Sequence, residues 1–431
     1  MARVIESVAS SLENNMGQQE MMQFISAKAC IFKIPSILRR HNEEAFIPNA
    51  FSIGPFHHDK HNPRDTQKIK LKYLEGLLTR TGNRKTMLRQ CISEIKTKEK
   101  EARECYAEEI DMSEEEFVEM LVLDGCFIIE LLRKNAEEEK DGDDPIFSMS
   151  CMIQFLYQDL ILLENQIPWF VLERLFSSTG GPSQSKSLVI ELVLKFFGNI
   201  FSSEQLLVDD NIFTNQDIKH ILDLLRSSLV LQLPLPECEI KLEKQSQQVQ
   251  KGWQPFPSAT TIKESGIKFM KVKSTTILDV KFVNGTLKMP SILIQETIEP
   301  VFRNLISYEQ CYPNCQPRIT SYAILLDNLI NTLEDLDELL ESGILINWVN
   351  PQDTTQFFKM LYHDAYVKEF YYQKLCSQVN DYRQQWWPKW RAFYYHNYFG
   401  KPWAIVSQIF AGIILVLSIL QTLYAILGAG K

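Results

Sequence analysis

The sequence of 431 residues has no excess of positive charge. Its 45 lysines and arginines stand against 54 aspartates and glutamates, which gives a net charge of −9 at neutral pH. Because contacts with nucleic-acid phosphates require a dense lysine and arginine surface, this balance argues against general nucleic-acid binding. The N-terminus also lacks the continuous apolar core of a secretory signal, and it begins Met-Ala rather than the Met-Gly of a myristoylation site.

The motifs of the common enzyme classes are missing as well. There is no G-x-S-x-G elbow, no H-E-x-x-H zinc motif and no complete phosphate-binding loop. The sequence therefore predicts no cofactor, and an enzyme is the less favoured class of protein.

The cysteines form no recognisable framework. There are nine, they are scattered along the chain, and most stand in apolar runs. This distribution indicates reduced, buried thiols rather than a set of disulfides. Cys311 and Cys315 have the C-x3-C spacing of half a zinc site, but a zinc site needs a second pair and none stands out.

What the chain does contain is a large apolar fraction arranged with helical periodicity. Hydrophobic residues make up 45% and charged residues 23%, a globular composition that can bury a core. Ser113 and Glu116 form a capping-box pattern in front of a run that is apolar on nearly all sides, which predicts a central core helix. The helices expected from periodicity cover 66–80, 84–110, 117–134, 151–166, 186–200, 215–231, 322–340 and 353–385.

One region between the helices has the pattern of strands instead. Residues 266–272, 277–283 and 286–294 look like three short strands, and Asn284-Gly285 between the last two is a strong signal for a tight hairpin. The fold class expected is therefore mainly α with a small antiparallel β-sheet insertion, plus one C-terminal transmembrane helix.

These patterns predict a division of the chain into five parts. They are a flexible N-terminal segment (1–28), a helix-rich domain (29–385) with an exposed insertion at 235–261 and a β-meander at 266–294, an aromatic juxtamembrane segment (386–402), a transmembrane helix (403–427) and a short tail (428–431).

The transmembrane helix is predicted from an uncharged apolar run over 403–427. A helix needs about 20 apolar residues to cross the hydrocarbon core of a bilayer. Trp403 and Tyr424 stand near the two ends of the run, where aromatic rings favour the membrane interface. We therefore expect a single-pass, tail-anchored protein with the lipid bilayer as a partner, in the plasma membrane or an endomembrane. A buried core helix is the alternative.

The same run suggests self-association and an orientation. Ala411 and Ser418 belong to a seven-residue repeat of small residues on one face, and Gln421 could hydrogen-bond across a helix pair, which predicts homo-association in the membrane. The free cysteines suit a reducing compartment, and the body-side flank carries more lysine and arginine than the tail. The body is therefore expected to face the cytosol.

The densest cluster of imidazoles consists of His57, His58 and His61, with Asp59 between them. Neutral imidazoles and a carboxylate can bind a divalent metal ion, and a histidine can act as a general base. The three histidines are therefore weak metal candidates. Because they lie in a proline-bounded loop without a second ligand group at diagnostic spacing, a structural role in the loop is favoured.

Five polar residues interrupt strongly apolar helices: Asp124, Asp159, Glu164, Asn165 and Gln166. Buried carboxylates can have raised pKa values and act as acids or bases. Buried polar groups also need hydrogen-bond partners, so the same residues can serve simply to bond backbone or each other. The second interpretation is favoured.

Six blocks of sequence, taken together, resemble one family of plant proteins. The set occurs in the order found in the domain-of-unknown-function-247 family and covers nearly the whole chain from about residue 29. Phe56 stands where that family more usually has tyrosine, which removes a hydroxyl. The blocks are IFKIPSILRRHNEEAFIPNAFSIGPFHH (31–58), LVLDGCFIIELL (121–132), DLILLENQIPWFVLERLF (159–176), SGIKF (265–269), RNLISYEQC (303–311) and PWAIVSQIFAGIILVLSILQT (402–422).

The resemblance implies a mostly helical body, one C-terminal transmembrane helix and no established enzymatic activity. Some members of the family are associated with recognition in plant reproduction, including self-incompatibility in grasses. The predicted tail anchor, the large helical body and the absence of a nucleophile motif make a membrane-tethered interaction or signalling-type protein with an unknown protein partner the leading hypothesis. The alternative is a membrane-bound hydrolase or transferase with a site near His57 and His58, which a deep pocket joining them to Asp124 or Glu164 would favour.

Overall fold

A computed structural model of the chain describes residues 2–20, 26–58, 64–80, 83–137, 142–180, 186–198, 200–201, 213, 216–233, 255–367, 369–385 and 402–428. Its helices are α1 (Ala2–Glu20), α2 (Ser36–Arg39), α3 (Arg64–Thr79), α4 (Arg84–Lys96), α5 (Glu99–Glu104), α6 (Glu114–Ala136), α7 (Ser150–Asp159), α8 (Trp169–Thr179), α9 (Lys186–Phe196), α10 (Ile221–Val230), α11 (Ala259–Glu264), α12 (Ile298–Cys311), α13 (Arg318–Leu329), α14 (Leu333–Glu341), α15 (Pro351–Met360), α16 (Gln373–Gln384) and the C-terminal helix (Pro402–Gly428). Its strands are β1 (Lys268–Val272), β2 (Lys281–Val283), β3 (Thr286–Pro290), β4 (Ile292–Ile294) and β5 (Leu345–Asn347).

Helix α6 is the central element of the N-terminal half, as its apolar surround predicts. The predicted capping box is present, because the Glu116 N–H donates to Ser113 Oγ (3.2 Å) and the Ser113 N–H donates to Glu116 Oε2 (3.0 Å). Beyond this cap, the side chains of Phe117 and Val118 and of every residue from Met120 to Leu132 are buried. Helices α3, α4, α8 and α9 pack around α6, so it is enclosed on most of its surface.

The expectation of a wholly antiparallel sheet is wrong. The hairpin of β2 and β3 is antiparallel, with Asn284 (φ 51°) and Gly285 (φ 73°) in the left-handed turn that the sequence predicted. Strand β1, however, pairs with β3 in parallel, and β4 pairs with β5 in parallel, so the first sheet is mixed with the order β1-β3-β2. The residues between β1 and β2 include the buried Ile277 and Leu278 and carry the chain across to the far edge of β3.

Several predicted helices are shorter than their apolar periodicity indicated. The one expected over 151–166 ends at Asp159, because the side chains of Asn165 and Gln166 bond the carbonyls that a continuing helix would use. The one expected over 322–340 is divided by a second capping box, in which Thr332 and Asp335 start α14. Polar side chains therefore ended helices that the apolar pattern alone would have continued. Residues 84–110 and 353–385 are likewise divided, into α4 and α5 and into α15 and α16.

The prediction of a transmembrane helix over 403–427 is wrong. The segment is helical, but among the described residues no helix combines the length and the apolar character needed to cross a membrane. A crossing needs about 20 consecutive apolar residues, and the side chains described for the C-terminal helix cover 410–423. The description of the chain as single-pass and tail-anchored is corrected with it.

The remaining boundaries fall partly outside the described residues. Residues 1–28, expected to be flexible, include helix α1, whose described side chains are exposed. Most of the predicted insertion at 235–261 lies outside the described residues, but Phe256 and Ala259 near its end are buried. The aromatic segment 386–401 also lies outside them.

Candidate functional site

The structure places the predicted histidine cluster in an irregular segment that runs over 46–58. His57 is buried, and its Nε2 lies 3.3 Å from Glu164 Oε2, whereas His58 is half-buried. His61 lies outside the described residues. Within the described part of the chain, neither His57 nor His58 joins a group of three side chains able to hold a metal ion.

Both carboxylate oxygens of Glu164 have partners, and the group is ionised rather than a protonated acid. Its Oε1 accepts hydrogen bonds from the Ile34 N–H (2.6 Å) and from the guanidinium of Arg39, while Oε2 faces His57. Burial raises the pKa of Glu164, but the hydrogen bonds from His57, Arg39 and Ile34 outweigh it, so the pKa is lowered overall. This carboxylate therefore stays ionised near neutral pH and holds the start of the domain against the segment 159–166.

Asp159 and Asn165 provide hydrogen-bond partners for the backbone of the irregular segment 46–58, which forms no regular helix or strand at these positions. Asp159 accepts hydrogen bonds from the N–H groups of Asn49 (2.6 Å), Ala50 (2.9 Å) and Phe51 (2.7 Å). Asn165 accepts from the Ile53 N–H and donates to the Phe51 carbonyl at 2.6 and 2.9 Å. The irregular segment is therefore fixed by side chains from a distant part of the chain.

Asp124 of α6 completes this network from the other side. It accepts from the Gly54 N–H (2.9 Å) and from Lys70 Nζ (2.5 Å), and Lys70 also donates to the Ser52 carbonyl. Gly54 has a φ of 72°, and a Cβ there would collide with the Gln166 carbonyl, so only glycine fits. The interpretation that these buried polar groups bond backbone and each other is confirmed.

The residues predicted for the membrane anchor lie on the C-terminal helix. Ala411, Ser418 and Gln421 are exposed, and Ser418 Oγ donates to the Ile414 carbonyl of its own helix (2.8 Å). Trp403 and Tyr424 fall on parts of this helix whose side chains lie outside the described residues. The expected homo-association and cytosolic orientation depended on a span, and nothing in the structure bears on them.

The two halves of the C-x3-C pair do not make a site either. Cys311 and Cys315 are half-buried free thiols, and burial raises their pKa values to about 11 and about 12. Within the described residues they meet no further metal-ligating side chain in a cluster of three.

A feature that the sequence did not single out is an apolar groove formed by α3, α4 and α6. It encloses about 450 Å³. Leu71 and Ile92 remain 51% and 40% exposed at its mouth, although both are large apolar side chains. Its walls are Leu71, Leu74, Leu88, Ile92, Val118, Val122 and Leu123, with Lys96, Glu114, Glu115 and Glu119 at the rim.

The rim of this groove is acidic. Lys96 Nζ lies 3.8 Å from Glu114 Oε1, which leaves Glu115 and Glu119 without an ion pair among the described residues. A second cavity of about 370 Å³ adjoins the groove and shares Leu71, Leu74 and Leu88 with it. Neither cavity is lined by His57 or His58, so the pocket that the enzyme hypothesis required is not found at either place.

The sequence carried only a weak signal for this groove. The mixed charge of the helix predicted over 84–110 suits a solvated face, while the apolar residues of α3 and α4 fall at helical spacing that suits a core face. Which apolar residues are covered depends on how the helices pack, and that information lies in contacts between segments.

Comparison with known proteins agrees with the resemblance seen in the sequence. The model of a family described as "plant protein of unknown function", DUF247, matches residues 31–417. The chain is 28% identical to the UPF0481 protein At3g47200 of Arabidopsis thaliana, over 92% of this chain and 86% of that protein. It is 20% identical to the putative UPF0481 protein At3g02645 of the same plant, over 97% and 94%. No solved structure matches the chain.

Over the residues that the structure describes, the fold is thus a largely helical body with two small sheets, stabilised by a buried polar network. Because the family model covers residues 31–417, the chain belongs to the DUF247 family of plant proteins of unknown function.

Proposed function

We propose that this chain is a protein-interaction protein whose groove between α3, α4 and α6 binds an amphipathic helix of a partner. The observation that carries the proposal is the groove itself, an apolar trough with exposed Leu71 and Ile92 at its mouth. Large exposed apolar side chains gathered in a concave surface are typical of a site for another protein. A helix that inserts apolar side chains at i, i+3 and i+4 matches such a trough.

The charge of the rim defines the partner further. Glu115 and Glu119 stand beside the trough without an ion pair among the described residues, and Lys96 is the single cation that lines it. Lysine or arginine residues next to the apolar stripe of the partner would neutralise this rim and steer the encounter. The partner is therefore a cationic amphipathic helix, and an acidic one should be repelled.

Binding of designed helical peptides to the full chain tests the proposal. The probe is an 18-residue peptide with a leucine stripe flanked by lysines. One control carries serine in place of the leucines, and the other carries glutamate in place of the lysines. We expect binding of the first peptide only, measured by fluorescence anisotropy. The affinity should weaken as salt is raised, because the contacts at the rim are screened.

Variants of the chain locate the binding. Leu71→Ser should weaken the affinity for the leucine-lysine peptide by at least about tenfold, because burying one leucine side chain contributes roughly 1.5–3 kcal/mol. Leu333→Ser is the matched control, since Leu333 is also exposed but belongs to α14. The double variant Glu115→Gln, Glu119→Gln should bind the lysine peptide more weakly and the glutamate peptide more tightly than the wild type does.

Two results would contradict the proposal. One is equal binding to the wild type and to Leu71→Ser. The other is self-association of the chain that Leu71→Ser and removal of residues 2–20 both abolish. Helix α1 has an exposed apolar stripe of Val4, Ile5, Val8 and Leu12, so this second result would identify a second copy as the occupant.

The association with recognition in plants, which the family resemblance implies, stays a prediction. An interaction surface of this kind suits such a role, and the relatives named above carry no assigned activity in their names.

A further inference from the structure

Two of the cysteines lie side by side at the point where the folded body begins. The N–H groups of Cys30 and Ile31 both donate to the Cys105 carbonyl, at 2.8 and 2.9 Å, and the Ala107 N–H donates back to the Ile31 carbonyl at 2.9 Å. Ile31 and Tyr106 form a parallel bridge, so Cys30 and Cys105 stand opposite each other on neighbouring backbones.

This register brings the two thiols together. Neighbouring backbones in a bridge are about 4.8 Å apart, and opposite residues direct their side chains to the same side. Such spacing falls within the range of about 4.4–6.8 Å between Cα atoms that a disulfide requires. Both cysteines are free thiols in the structure.

We propose that Cys30 and Cys105 are a reversible redox pair, which a peroxide converts into a disulfide that fastens the start of the folded body to the end of α5. Cys105 is the attacking sulfur and Cys30 the resolving one. In the first step the Cys105 thiolate attacks hydrogen peroxide, the O–O bond breaks, hydroxide leaves and Cys105 becomes a sulfenic acid. In the second step Cys30 sulfur attacks Cys105 sulfur, the S–O bond breaks and water leaves with the proton of the Cys30 thiol. Two thiols and one peroxide thus give one disulfide and two waters.

The surroundings of the pair support this division of roles. The Cys30 thiol lowers the pKa of Cys105, although burial and the charge of Glu101 oppose it, and Lys219 and Lys28 act in the same direction as Cys30. Cys105 in turn raises the pKa of Cys30, and burial raises it further. Cys105 is 8% exposed and Cys30 2%, so the attacking residue is also the more exposed one.

A second thiol pair serves as an internal control. Cys91 of α4 and Cys126 of α6 also shift each other's pKa values, but both are fully buried in the core. Cys105 keeps a small exposed surface and these two cysteines keep none, so the two pairs share the proximity of two thiols and differ in exposure. Cys151 is an exposed free thiol and reports the dose of oxidant.

Peptide mapping of the full chain after oxidation tests the proposal. The protein is treated with hydrogen peroxide, blocked with N-ethylmaleimide, and digested with trypsin and a glutamate-specific protease. These enzymes release the fragments 29–33, with Cys30, and 105–108, with Cys105; the control cysteines fall in 90–94 and 120–130. We expect fragments 29–33 and 105–108 to be disulfide-linked and to separate again with dithiothreitol. The amount of this linked pair should exceed the amount of the linked control pair by at least about tenfold.

Single substitutions separate the two roles. In Cys30→Ser the sulfenic acid on Cys105 has no resolving thiol, so a dione reagent should trap it and further oxidation to sulfinic acid should follow. Cys91→Ser is the matched control and should leave the Cys30–Cys105 link unchanged.

Three results would overturn the proposal. In the first, fragments 29–33 and 105–108 stay unlinked at a peroxide dose that oxidises Cys151. In the second, the Cys91–Cys126 link forms as readily as the Cys30–Cys105 link. In the third, the Cys30→Ser protein gives no trapped sulfenic acid while the wild type still forms the link. The mapping of the wild type needs no variant, so the proposal is decided even if Cys30→Ser fails to fold.

Discussion

At the scale of single residues, His220 shows how one buried side chain couples folding to pH. Its Nδ1 accepts the Asp223 N–H (3.2 Å) at the start of α10, so Nε2 carries the proton that is donated to the Cys30 carbonyl (3.0 Å). The ring is fully buried in its neutral form, and burial lowers its pKa to about 4. The helix predicted over 215–231 includes His220, and its sequence pattern carries no sign of this linkage.

This geometry predicts a loss of stability in mild acid. An unfolded histidine has a pKa of about 6.5, so the unfolded chain binds a proton that the folded chain refuses between pH 6.5 and 4. His220 should therefore cost up to about 3 kcal/mol of stability as pH falls through that window, with no further loss below pH 4. Denaturant unfolding at a series of pH values measures the slope.

The variant His220→Asn keeps a capping oxygen and removes the titration. Its stability should be flatter over the same window, whereas His363→Asn, at an exposed position, should retain the slope of the wild type. An unchanged slope in His220→Asn would show that another group causes the pH dependence.

At the scale of elements, the hairpin of β2 and β3 depends on one glycine. Gly285 has a φ of 73°, where residues with a Cβ are strained, and a Cβ at this position would collide with the hydroxyl of Tyr382 in α16. The turn is therefore matched both to the twist of the hairpin and to the helix that covers it. Here the sequence was sufficient, because the conformation of Asn-Gly turns is set by the two residues themselves.

We expect Gly285→Ala to destabilise the chain by roughly 1–2 kcal/mol, as the sum of backbone strain and a displaced tyrosine. Chemical denaturation of the full chain measures this effect. Gly142→Ala is the control, since a Cβ at Gly142 meets no atom within 4 Å. Equal stabilities of the two variants would contradict the role assigned to Gly285.

At the scale of the whole molecule, a single carboxylate joins distant parts of the chain. Asp159 lies 108 to 110 residues from the three backbone N–H groups that it accepts. Burial raises its pKa, although the N–H donors of Phe51, Asn49 and Ala50 oppose the shift. The segment with His57 and His58 therefore owes its shape to side chains of α7, of α6 and of the residues that follow α7, rather than to its own sequence.

We expect Asp159→Ala to cost about 3 kcal/mol or more, because several buried N–H groups would lose their acceptor at once. Hydrogen exchange should show faster exchange at Asn49, Ala50 and Phe51, and denaturation should show the loss of stability. Asp337→Ala, at an exposed site in α14, is the control. If Asp159→Ala left both measurements unchanged, the segment would be held by other contacts.

The sequence alone determined the features that depend on neighbouring residues. It indicated the buried helix at 117–134 with its capping box, the Asn284-Gly285 turn and the blocks that place the chain in its family. Each of these follows from propensities and hydrogen bonds that act over a few positions along the chain.

Tertiary structure decided what depends on distant partners. It paired β1 with β3 in parallel, left Leu71 and Ile92 uncovered at a groove, and set Cys30 against Cys105. It also overturned the membrane span predicted from apolar character, since among the described residues no helix has the length and apolar character to cross. The physical reason is common to these cases: hydrophobic periodicity records that a side chain is apolar, while burial, register and contact are properties of the segments that pack against it.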